Sequence, residues 1–185
     1  TISFPLSIFL FFSGEELIRV VYGNNWDEAI PVFRILSLSL SLQMILSTSG
    51  AIYQSANATK YMFLNGIINT ISTVTGFLIS AFFFKNIVAM AWAWDITLCL
   101  NMIISYVILY RFVLRSSLLD MSKLLAVPFV TAMSIGITLY FLGRYFQMSN
   151  LLSITCKFSL ALICFFIVNQ ATKHYDLVKM LKLKR

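Results

Sequence analysis

The chain has 185 residues, of which 59% are hydrophobic and only 11% charged, with a net charge of +7 and a mean hydropathy of +0.87. Soluble domains hold about half apolar and about a quarter charged residues, so this composition excludes a soluble globular fold and, with it, a soluble basic module for nucleic acid. It leaves room for five or six spans of about 20 residues, with no independent soluble domain between them.

In chain order, the apolar run over residues 1–13 is shorter than the roughly 17 to 25 residues a span requires. It has neither a basic leader nor a small-residue cleavage site, so a partial span is expected rather than a signal peptide. The chain is accordingly expected to be the C-terminal fragment of a longer protein, with 1–185 forming a single membrane domain.

Residues 14–30 are read as an outward interfacial loop. In "GEELIRVVYG" the two acids suit a helix start and Gly23 suits a left-handed C-terminal cap, giving a short surface helix. Asn25 and Glu28 have the spacing of a capping box, which starts the next helix near Trp26, itself an interfacial aromatic. Pro31 then falls inside that helix and predicts a kink.

Nearly uncharged apolar stretches follow at about 31–53, 62–84, 87–110, 125–146 and 151–170. Their length and their Leu, Ile, Phe and Met content suit helices, whereas barrel strands would alternate over about ten residues. The expected fold is all-α: a polytopic transmembrane helical bundle of about six spans, one partial. Residues 171–185 form a basic tail. Lys60, Arg111, Arg115, Lys123 and the tail lysines fall on one side of the layout and outnumber Arg19, Lys85 and Arg144 on the other, which places the C-terminus in the cytoplasm. There the tail would meet an anionic leaflet.

Polar groups inside spans are expensive and each raises a functional question. Ser39, Gln43, Ser47, Gly50 and Gln54 recur at helical spacing in one span; Asn65, Asn69, Ser72, Gly76 and Ser80 do so in the next. Two uses are open, close helix packing and the lining of a water-filled cavity. Asp95 lies inside the hydrocarbon, where it could serve ion coupling or pair with a polar neighbour. Arg34 and Lys157 sit just inside span ends, where each could meet a pyrophosphate or snorkel to the interface.

Cys99, Cys156 and Cys164 lie in apolar runs without metal-ligand spacing, and His174 stands alone in the tail. No motif for covalent chemistry occurs. No catalytic residue, metal or cofactor is therefore expected, and the chain is not expected to be an enzyme.

The order "LIRVVYGNNWDEAIPVFRIL" followed by "LSTSGAIYQSANATKYMFLNGIIN" resembles the C-terminal half of bacterial Wzx-like oligosaccharide flippases, relatives of the MATE exporters and of the lipid II flippase MurJ. The matching positions are Tyr22, Gly23, Trp26, Ala29, Pro31, Ile35 and Leu36, then Gln54, Ala56 and Asn65. One departure is "SANATKY", with Asn57 and Ala58 where the family often has Gly, which predicts a looser turn. The resemblance implies the second lobe of a MATE-like transporter fold, resident in the bacterial inner membrane. It implies flipping of undecaprenyl-pyrophosphate-linked oligosaccharide repeat units for O-antigen, capsule or exopolysaccharide synthesis, with polysaccharide polymerase machinery as a partner. Arg34, Ser39, Gln43, Ser47, Gln54, Asn65, Asn69 and Asp95 are then the substrate or cavity candidates. The rival expectations are a MATE-like small-molecule exporter and a membrane-embedded polysaccharide polymerase or ligase.

Overall fold

The computed structural model describes residues 2–114, 118–145 and 149–172, without the side chains of 118–125, 145, 171 and 172. Among these residues every regular element is helical: α1 (Ser3–Tyr22), α2 (Ala29–Ser55), α3 (Thr59–Phe83), α4 (Ile87–Ile108), α5 (Leu118–Tyr145) and α6 (Asn150–Thr172). A 3-10 turn covers Asn24–Trp26, and a π-helical stretch over Leu109–Val113 prolongs α4. The basic tail from residue 173, with His174, lies outside the described residues, as do Arg115 and the side chain of Lys123.

Five helical segments are long and apolar enough to cross a membrane: Ala29–Ser55, Thr59–Phe83, Ile87–Val113, Ala126–Arg144 and Asn150–Gln170. They coincide with the five full spans expected from hydropathy, and the chain is a multi-pass helical membrane protein. By that measure α1 is not a sixth, because Glu15, Glu16 and Arg19 occupy its C-terminal half.

The chain divides into two compact units. One contains α2, α3 and α4, in which α4 packs against both of the others. Its connections are three residues long. At the first, Asn57 adopts φ 52°, a left-handed conformation that Asn tolerates better than most residues. The Ala58 N–H then closes the end of α2 by donating to the Tyr53 carbonyl at 2.9 Å. The looser turn expected there is not observed, because Asn57 supplies the positive φ that a glycine would have given. At the second, Asn86 caps α4, its side chain accepting from the Val88 N–H at 2.9 Å.

The other unit contains α1, the 3-10 turn, most of α5 and α6. Its core is Phe9, Ile135 and Leu139, flanked by Ile8 and Phe12 of α1 and by Ile154, Cys164 and Phe165 of α6. Phe9 meets Phe158 edge-on, with ring centroids 5.6 Å apart.

Three local expectations are corrected. The surface helix expected to start at Gly14 is the continuation of α1, which runs unbroken from Ser3 to Tyr22. Gly23 does end it, at φ 82° and ψ −175°, a region open essentially to glycine though not the left-handed cap. Asn25 caps nothing, because it sits within the 3-10 turn while α2 begins at Ala29, with no side-chain cap bond at its start. Pro31 is consequently the third residue of α2, among the first four positions whose N–H groups have no acceptor within the helix.

Candidate functional site

The sequence candidates separate into two groups within the α2–α4 unit. The first lies along α2. Ser39 and Asp95 are buried, at 1% and 9% exposure, whereas Gln43, Ser47 and Gln54 are exposed. Gln43 donates from Nε2 to the Ser39 hydroxyl at 2.9 Å, and that hydroxyl donates to the Leu36 carbonyl of its own helix at 2.7 Å. Gln43 thus links the open face of α2 to a buried hydroxyl. The Oδ1 atom of Asp95 has no protein partner.

Ser37, Ser41 and Ser49 of α2 are also buried, and each hydroxyl donates back to a carbonyl of its own helix, those of Phe33, Leu38 and Leu46. Small self-satisfied side chains let two helices approach without stranding a polar group. Arg34 is half-buried near the start of α2.

The second group lies between α3 and α4. Asn65 accepts from the Ser105 hydroxyl at 2.9 Å, and Tyr53 of α2 donates to the Ser105 carbonyl at 3.1 Å. Asn69 reaches the same Ser105 hydroxyl at 3.5 Å, while Asn101 donates to Thr73 at 3.1 Å and toward the Asn69 carbonyl at 3.4 Å. Asn65 and Asn69 therefore serve helix packing here, one of the two uses open from sequence. Gly76 belongs to the same seam, since a Cβ at that position would collide with the Thr97 methyl. Sequence reading missed Asn101 and Ser105. With Thr97 they recur every four residues along α4, the spacing that exposed the stripes on α2 and α3.

Exposure distinguishes the two helices flanking α4. The open side of α3 is mostly apolar, with Phe63, Ile67, Ile71, Val74, Leu78 and Phe82 all at least 41% exposed beside the exposed Thr70 and Thr75, a surface that suits lipid. On α2 the open side instead carries Gln43, Ser47, Thr48, Gln54 and Ser55 beside Leu36 and Met44. Both helices are candidate spans, and their open surfaces differ in polarity.

The interfacial motif divides in the same way between geometry and exposure. Trp26 is 54% exposed and lies against Tyr22, ring centroids 5.6 Å apart. Arg19 holds the turn to the end of α1 through Asp27 at 3.4 Å and is itself paired with Glu15 at 3.2 Å. Gly23 and Asn25 shape this turn, and Pro31 opens the following helix.

No family model, curated protein or solved structure matches the chain. The fold defines a class, the multi-pass α-helical membrane protein, and the site defines an open polar face on one of its spans.

Proposed function

We propose that this chain is part of a flippase that moves undecaprenyl-pyrophosphate-linked oligosaccharide repeat units across the bacterial inner membrane for surface polysaccharide assembly. The observation that carries the reading is the open polar face of α2, with Gln43, Ser47 and Gln54 exposed along a span. Gln43 and Ser47 each form one bond within α2, but exposed amides and hydroxyls are still disfavoured against hydrocarbon, so such a face suits a hydrated path. Uncharged donors and acceptors also match the hydroxyl groups of a glycan. Asp95, buried on α4 of the same unit, would be the carboxylate of that path, and Arg34, near the start of α2, the cation that meets a pyrophosphate. The order of residues from Leu17 to Leu36, which resembles the Wzx-like flippases, supplies the second line of support.

In this mechanism two lobes rock about the hydrated path while the lipid tail remains in the bilayer, the general scheme of alternating access. The C-terminus is cytoplasmic, and its basic residues rest on the anionic leaflet. Deletion of the full gene is expected to accumulate lipid-linked repeat units on the inner leaflet and to abolish surface display. Unchanged display in the deletion strain would refute the proposal.

A further inference from the structure

The α1–α6 unit holds an ion pair that the flippase reading does not use. Lys157 lies seven residues into α6, about 10 Å along the axis at 1.5 Å per residue, and its residue is only 4% exposed. Snorkelling, the inexpensive default for such a lysine, is not what happens. Its ammonium donates to the Glu16 carboxylate and, at 2.8 Å, to the Phe12 carbonyl, both on α1. Ser153, one turn earlier on α6, donates to the same Glu16 oxygen at 2.9 Å. Every one of these contacts joins α6 to α1. The second carboxylate oxygen of Glu16 is buried without a protein partner.

The two helices differ in what they require of each other. The α6 segment is the most apolar of the candidate spans, with hydropathy 2.3, and tolerates one lysine. The α1 helix does not qualify as a span, because its C-terminal half is charged. Arg19 already neutralises Glu15 at the exposed end, which leaves Glu16 as the charge that must be cancelled within the packed unit.

We infer that Lys157 is the seating residue of α1: by cancelling the charge of Glu16 it makes an otherwise too polar helix part of the membrane unit. Because the partner is on α6, this cancellation can occur only after α6 has been made. What matters under this inference is cancellation rather than the charges themselves. Losing one partner strands the other, while losing both does not.

The test uses thermal unfolding of the full chain in detergent, read by a maleimide dye that fluoresces on reaching an unmasked thiol. Cys164 is the reporter, since it packs against the Phe9, Ile135 and Leu139 core, and Cys99 and Cys156 are replaced by Ala. Lys157→Met and Glu16→Gln, each alone, are expected to lower the unmasking temperature by about 10 °C or more, with the double variant recovering to within about 3 °C of the parent. The fluorescence transition of Trp92 and Trp94 on α4, followed with Trp26→Phe, should move by less than about 3 °C in all three variants. Single variants matching the parent, a double variant as unstable as the singles, or equal shifts at both reporters would each overturn the inference. None of these outcomes depends on transport.

Discussion

The two units solve one problem, polar groups buried among apolar helices, by opposite means. In the α1–α6 unit one strong pair, Glu16 with Lys157, joins two helices. In the α2–α4 unit the seam beside α3 distributes the task over neutral groups, Tyr53, Asn65, Asn69, Thr73, Asn101 and Ser105, linked in a series of bonds, and the buried Asp95 stands outside that series. A charge pair concentrates the cost of failure in two residues. A neutral network spreads it, since interhelical bonds of this kind contribute about 0.6 to 2 kcal/mol each. The difference teaches where each unit is fragile.

Substitutions can break that contrast. The largest effect is expected at Lys157→Met, where an uncompensated buried carboxylate should cost about 3 to 5 kcal/mol, measured as the loss of thermal stability at the Cys164 reporter. Next is Gly76→Ala, which forces a methyl into Thr97 and should cost about 1 to 3 kcal/mol by overpacking, read from the Trp92 and Trp94 transition. Ser105→Ala removes the hydroxyl shared by Asn65 and Asn69 and should cost about 0.6 to 2 kcal/mol by the same readout. A loss at Ser105 as large as that at Lys157 would erase the distinction between the units. The smallest stability effect is expected at Gln43→Leu, within about 0.5 kcal/mol because the position is exposed. That variant should nevertheless reduce surface polysaccharide when it replaces the chromosomal copy, which separates a functional face from a packing one.

Much of this architecture was legible in the sequence because hydropathy is a local property. The five spans appear as apolar runs, and their ends carry turn residues such as Asn57 and Asn86. The misreadings have a common physical source in contacts that local sequence does not contain. Gly14, Glu15 and Glu16 read as the end of one element and the start of another. Glu16 is instead carried inside a continuous helix by a lysine 141 residues away. The same pair explains why Lys157 is buried rather than snorkelled. Asn25 and Glu28 have capping-box spacing, but the 3-10 turn places Asn25 too early to cap α2, and this shift also moves Pro31 into the first turn.

Of the candidate site, the stripes on α2 and α3 were legible from spacing alone. Which stripe packs and which stays open was not, because that depends on the face α4 occupies. Asn101 and Ser105 fix the α3 stripe as a seam, and both were passed over within an apolar run although their spacing was the same signal.

The central claim is that the open face of α2 meets water within the membrane while that of α3 meets lipid. Single cysteines placed at Gln43, Ser47 and Gln54 on α2, and at Phe63, Ile67 and Ile71 on α3, can be compared in intact membranes, with Cys99, Cys156 and Cys164 replaced by Ala. A membrane-impermeant maleimide applied to both sides should label the three α2 positions at least about tenfold faster than the α3 positions, because only a hydrated thiol ionises and reacts. Equal protection of both sets would contradict the account.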